Sequence, residues 1–217
     1  LTTTERKRIL LNNIYGVDID SQAVEVTKLS LLLKVLEGEN EQTWIQQFEM
    51  LQERVLPDLD SNIKCGNSLI SYENVEGELI PDSEAKIRLS AFDWNREFAE
   101  IIKSGGFDAV IGNPPYIRIQ TMKEWAPLEV EMYKKNYITA RAGNYDIYVV
   151  FVEKGLSLLN NKGLLGFILP HKFFNSKYGE ALRTIISQGK HLSHVVHFED
   201  QQVFARATTY TCLFFLN

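Results

Sequence analysis

Short apolar runs alternate along the chain with stretches whose apolar residues recur at helical spacing, and that alternation predicts a layered α/β fold. "IYGVDID" (14–20) reads as a strand ending in acids. Ser21 stands where it would cap a helix running to about Glu37, with Val24, Leu31, Leu32, Val35 and Leu36 near helical spacing. An acidic stretch at about 38–60 predicts an inserted helix that breaks at Pro57, and "NIKCGNSLI" predicts the next strand and its exit loop. After a polar, Glu-rich loop at 73–86, a helix is expected around Phe92 to Ile102. "FDAVIG" (107–112) predicts a buried strand, "YDIYVVFVEKGLSLLNN" (145–161) a helix and "LLGFILP" a strand. A helix at about Lys177 to Ser187 and two strands, "HLSHVVHF" and "TYTCLFFLN", complete the pattern. With no internal repeat and no long linker, residues 1–217 are expected to form one domain.

Composition changes this picture little. The longest apolar runs, "LSLLL" and "LLGFIL", are too short for a membrane span, and "LTTTERKRIL" reads as neither a signal nor a transit peptide, so a cytoplasmic protein without a membrane partner is expected. Cys65 and Cys212 both lie in apolar, strand-like contexts and are expected as buried thiols. Charge adds an asymmetry. Residues 1–100 carry 10 Lys+Arg against 19 Asp+Glu, and residues 101–217 carry 13 against 9. A basic half suits a polyanion, although solvated faces give the same count.

The chemistry gathers where strands end, which is where open α/β sheets bind ligands. Asp18 closes "GVDID" where a carboxylate can accept from both hydroxyls of a ribose; a loop acid is the alternative, and it fits Asp20 better. Asn67 and Ser68 leave the next strand where polar groups can read an adenine edge, though Gly-Asn-Ser is also good turn chemistry. The third exit, Asn113-Pro114-Pro115-Tyr116, constrains more. Each proline fixes φ and has no N–H, and residue 113 is held extended because it precedes a proline. A primary amine that must become nucleophilic needs two acceptors, which the Asn113 side-chain oxygen and the Pro114 carbonyl supply. Tyr116 offers a flat face for the ring that bears the amine. No metal site is expected: His191, His194 and His197 do not share a face on a strand.

These stretches resemble the adenine-N6-specific DNA methyltransferases with an Asn-Pro-Pro-Tyr motif, of the TaqI type and of the combined type II restriction–methylation enzymes. The similarity runs through "GVDIDSQAVEVTKLSLLL", "IKCGNSLI", "FDAVIGNPPYIR", "YDIYVVFVEKGLSLLNNKGLLGFILPHKFF" and "VFARATTYTCLFFLN". It implies a Rossmann-like class I methyltransferase sheet, mostly parallel with an antiparallel last strand. It implies that S-adenosylmethionine is the cofactor and double-stranded DNA the partner, with base flipping and direct transfer to adenine N6. By the same resemblance Asp18 binds the cofactor ribose, Ile19 lies against the cofactor adenine, and Asn67, an aspartate in most of the family, accepts from its amino group beside Ser68. Asn113 and Pro114 hold the target amine and Tyr116 stacks on the base. On a DNA substrate Lys172, Lys177 and Arg183 would meet phosphate, unless they are ordinary solvated surface cations, and His171 would line the base pocket; either Phe214 or Phe215 covers the base's other side unless both are ordinary core.

The family's glycine-rich cofactor loop and the central first strand have no counterpart in these residues. The resemblance therefore implies a partial catalytic domain, inactive by itself, from a larger protein with possible nuclease and target-recognition domains. Two other readings stay open: a methyltransferase for a protein glutamine or an RNA amino group, and a non-catalytic DNA-binding or scaffold piece of a restriction complex.

Overall fold

Backbone conformation decides the first cap. Asp20 is still extended while Ser21 is already helical, so the Asp20 carboxylate accepts from Gln22 N–H at 2.8 Å and Asp20, not Ser21, caps the helix. The computed structural model describes residues 1–37, 57–76, 89–141, 143–198 and 210–217. Most of the predicted acidic insertion and of the polar loop lies outside them. The chain divides into two compact units, Leu1–Ser68 with Ser90–Phe92, and Leu69–Leu89 with Asp93–Asn217.

In the first unit, helices α1 (Thr3–Asn13) and α2 (Ser21–Leu36) accompany two parallel strands, β1 (Gly16–Asp18) and β2 (Ile63–Cys65), paired Gly16 to Ile63 and Asp18 to Cys65. Leu10, Val24, Val35, Leu59 and Ile63 form its core. The buried Asn62 amide donates to the Leu11 and Ile14 carbonyls at 2.8 and 2.9 Å, satisfying the end of α1. Cys65 is exposed, not buried as expected, because it ends β2 with its side chain facing solvent; Cys212 is buried, and both are free thiols.

The second unit begins with α3 (Tyr72–Glu76), then α4 (Trp94–Glu97) and α5 (Ala99–Lys103), which replace the single helix expected there. Phe98, at φ −127° and ψ 45°, breaks that helix while its ring packs against Trp94 and Phe107. A four-stranded sheet follows in the order β3 (Phe107–Gly112), β4 (Leu159–Pro170), β6 (Thr211–Leu216), β5 (Leu192–His197). β3 and β4 are parallel, and β6 runs antiparallel to both of its neighbours. This α/β architecture with an antiparallel last strand is the expected fold class.

Two helices absent from the predicted elements, α6 (Ile119–Trp125) and α7 (Pro127–Asn136), lie between β3 and α8 (Tyr148–Ser157). α8 is shorter than predicted at both ends. Tyr145 and Ile147 are instead bonded to the chain that leaves β3, and β4 starts at Leu159, where Asn160 Nδ2 donates to Asp108 Oδ1 at 2.7 Å. α9 (Glu180–Gly189) completes the unit. α8 lies so close to β4 that a Cβ on Gly155 would come within 2.5 Å of Leu165 Cδ1. Leu165, Phe167, Leu169, Phe214 and Leu216 fill the covered face. β3 departs from the expected buried strand: among the described residues it has β4 on one side only, and Ile111 is 86% exposed.

Candidate active site

β3 delivers the Asn-Pro-Pro-Tyr loop at its carboxyl end. Gly112 pairs with Phe167, whose ring would lie 2.9 Å from a Cβ at that position, so only glycine lets the strand run this close to the ring before the loop begins. Asn113 and Pro115 are exposed, Pro114 is buried and Tyr116 is half-buried. The Tyr116 hydroxyl lies 2.8 Å from Asn113 Oδ1 and 3.1 Å from the Ile168 carbonyl, and its ring meets Tyr148 edge-on at 6.4 Å. Asn113, Pro114 and Tyr116 thus stand together beside the end of β4.

Two ties hold this loop to the segment that leads into α8. Ile119 N–H donates to the Tyr145 carbonyl and Ile147 N–H to the Ile117 carbonyl, both at 2.9 Å. Behind them the Tyr148 hydroxyl meets that of Tyr178 at 2.7 Å, and Tyr178 donates to Asp146 Oδ2 at 3.1 Å. Glu153, midway along α8, accepts from the N–H groups of Ile138 and Thr139 and from the Thr139 hydroxyl, at 2.7 to 3.0 Å. None of these supports was anticipated. The tyrosines and acid in "NYDIY" were visible in the sequence, but their partners lie some 30 residues away.

Burial pushes the Tyr116 phenol up to about 12, aided by the nearby Cys212, and pushes the Cys212 thiol up to about 11. Tyr148 is raised further, again chiefly by burial. A group with its folded value above its unfolded one stabilises the fold fully below the unfolded value and loses that stabilisation as pH rises through the folded value. The melting temperature should therefore hold, on account of these groups, to about pH 9 and fall between about 9 and 12, given ordinary values near 8.5 for cysteine and 10 for tyrosine. Thermal melts read beside phenolate absorbance check this. Complete phenolate formation by pH 10 in folded protein would contradict it.

The other residues singled out in this unit separate. His171 begins a 3-10 turn just beyond β4, its ring 4.3 Å from that of His197 and near-parallel to Phe174 and Tyr210, while Lys172 is exposed. Arg183 is committed elsewhere: its guanidinium donates to the Phe173 and Ser176 carbonyls at 2.5 and 2.8 Å, tying that turn to α9. Phe214 is 1% exposed and packs against Phe173 at 5.2 Å, as a core ring does. Phe215 lies on the opposite face of β6, beside Gly166. The aromatic ring that Tyr116 itself meets is Tyr148.

The first unit carries its own cluster of strand exits. Gly66 N–H donates to the Asp18 carbonyl at 2.8 Å, so the two exits are adjacent. Asp18 Oδ1 accepts from Asp20 N–H at 2.8 Å, Ile19 is 60% exposed, Asn67 is 5% exposed and Ser68 half-buried. An acid, a bare apolar side chain and a buried amide, side by side at the carboxyl ends of parallel strands, fit a nucleoside. Among the described residues no cluster of His, Cys, Asp and Glu suits a metal ion, and no helix is long and apolar enough to cross a membrane.

Comparison with known proteins places the chain in a family. The chain is 38% identical over 213 residues to the type II restriction enzyme and methyltransferase RM.Eco57I of Escherichia coli, covering 98% of this chain and 19% of that protein. It is 26% identical over 191 residues to the adenine-specific methyltransferase PglX of Streptomyces coelicolor, covering 82% of this chain and 15% of that one. The solved nuclease-deletion mutant of the Type ISP restriction-modification enzyme LlaGI, in complex with a DNA substrate mimic, shares the fold over the whole chain, with a TM-score of 0.57 at 14% identity, on 18% of its own length. The chain thus spans under a fifth of each of these proteins. The Eco57I restriction-modification methylase family matches residues 12–204, taking in both strand exits of the first unit and the Asn-Pro-Pro-Tyr loop, and the chain belongs to that family.

Proposed function

We propose that this chain is part of the catalytic domain of a DNA methyltransferase that modifies the N6 amino group of adenine in double-stranded DNA, within a restriction–modification enzyme. The observation that carries the reading is the Asn113 carboxamide standing exposed at the end of β3, beside Pro114 and half-buried Tyr116. Asn113 Oδ1 and the Pro114 carbonyl accept the two N–H bonds of the target amine. Held this way, the nitrogen lone pair is drawn out of conjugation with the ring and becomes nucleophilic. The ring stacks on Tyr116. An adenine in a duplex has its N6 engaged in pairing, so it must leave the stack to reach this loop. Family membership supports the substrate class, and the adenine-specific relative supports the base.

S-Adenosylmethionine, when bound, supplies an electrophilic methyl group. The residues that suit it are Asp18 for the ribose hydroxyls, Ile19 for a face of the adenine ring, and Asn67 with Ser68 for the adenine edge. His171, Lys172 and Phe215 are assigned to the DNA side. Nuclease and target-recognition functions are assigned to other parts of the same polypeptide.

Labelled S-adenosylmethionine, mixed with the full-length protein and duplex DNA, tests this. Label is expected on adenine N6 after digestion to nucleosides. Label on a protein glutamine or on RNA, with none on DNA, would replace the substrate. Cofactor that fails to bind the full-length protein would leave a DNA-binding scaffold.

A further inference from the structure

A phenolic hydroxyl carries one proton, and that of Tyr116 has two acceptors in reach, Asn113 Oδ1 at 2.8 Å and the Ile168 carbonyl at 3.1 Å. The Ile168 carbonyl faces the place where the β3–β4 ladder stops. Pairing ends at Gly112 and Phe167, and Pro114 and Pro115 have no N–H with which to continue it. The tyrosine side chain supplies a donor there instead.

The two choices of acceptor differ for the carboxamide. With the proton directed at Asn113 Oδ1, that oxygen turns towards Tyr116 with one of its two lone pairs taken, and the Nδ2 end, a donor, faces the side from which an amine needing an acceptor arrives. With the proton directed at Ile168, the hydroxyl turns its lone pairs to the carboxamide, and only the Nδ2 end can bond to them. Oδ1 then points away from Tyr116, towards the open side of the loop. Rotation about the terminal torsion of asparagine is broad and two-fold, and Asn113 is exposed, so nothing in the packing forbids the turn.

We propose that the Tyr116 hydroxyl is a positioning group that selects which end of the Asn113 carboxamide meets the target amine. Donating to Ile168 while accepting from Asn113 Nδ2, it sets Oδ1 outward as the acceptor. The arrangement seen here, with the hydroxyl against Oδ1, is the closed setting of the same contact. Burial keeps the phenol protonated far above neutral pH, so it remains a donor under working conditions. This assignment rests on Asn113 being the amine's acceptor, and it gives Tyr116 a role distinct from that of its ring.

Tyr116→Phe in the full-length protein separates the two roles, because the stacking face is kept and the hydroxyl removed. The expected result is a fall in kcat of about fivefold, the worth of one ordinary hydrogen bond, with DNA affinity and KM for DNA unchanged and the melting temperature lowered by only a few degrees. An unchanged kcat would overturn the proposal. So would a parallel loss of kcat, DNA affinity and melting temperature, which marks a structural hydroxyl. Asn113→Ala, assayed alongside, tells the two readings apart: undiminished transfer there would defeat the amine-binding reading itself, whatever Tyr116→Phe does.

Discussion

Asn113→Ala is expected to lower methyl transfer by roughly 10²–10³-fold or more, the scale seen when one preorganised hydrogen-bonding group is removed from a reacting centre. The amine would keep the Pro114 carbonyl and the Tyr116 ring but lose the acceptor that pulls its second N–H out of the ring plane. The fold should hardly notice. Asn113 is exposed, and the side-chain partner it loses is the Tyr116 hydroxyl, a contact worth about 1 kcal/mol. Single-turnover transfer with labelled cofactor measures the first effect, and thermal melting with a DNA-binding titration measures the second. Full transfer by the variant would remove Asn113 from the chemistry. Loss of transfer together with a collapsed melting temperature would make it a structural residue.

The Asn-Pro-Pro-Tyr loop was legible in the sequence because its constraint is local. Two prolines fix their own φ and the conformation of the residue before them, wherever the chain goes next. The alternation of strands and helices was legible for the same reason. What surrounds the loop was harder to read, since it depends on partners distant in sequence. Arg183 looks in sequence like any surface cation, and only the folded turn reveals two backbone carbonyls at its guanidinium. "CLFFL" is apolar throughout and does not say which side is inward, and the register of β6 on β4 decides that Phe214 is core and Phe215 is not. Ile111 illustrates the limit of reading burial from an apolar run: the strand formed as expected, but its side chain is covered only if a neighbouring element stands there. One miss was avoidable. Ile119, Met122, Ala126, Val130 and Tyr133 are all buried and recur at steps of three and four, which is the helical signal that α6 and α7 obey.

Gly106→Ala is expected to destabilise the second unit by about 3 kcal/mol or more, against roughly 1–2 kcal/mol for Gly105→Ala, and the contrast separates two physical causes. The two glycines have almost the same φ, +116° at Gly106 and +112° at Gly105, in the region that L side chains rarely adopt. Strain alone therefore predicts nearly equal losses. Their surroundings differ. At Gly105 a Cβ would have Asn160 Cβ 3.9 Å away, an ordinary contact. At Gly106 it would lie 2.6 Å from the Leu158 carbonyl oxygen and within 2.9 Å of the Leu159 and Asn160 backbone. Backbone cannot rotate aside as a side chain can, so the start of β3 must move. That displacement stretches the hydrogen bond from Phe107 N–H to the Leu158 carbonyl, 2.8 Å in the structure, which opens the β3–β4 pairing that carries Asn113 at its far end. Chemical denaturation of both variants measures the difference, and transfer assayed well below the melting temperature should fall more in Gly106→Ala than in Gly105→Ala. Equal destabilisation by the two substitutions would mean that backbone strain, and not the close approach of α8's end to β3, is what requires glycine at this turn.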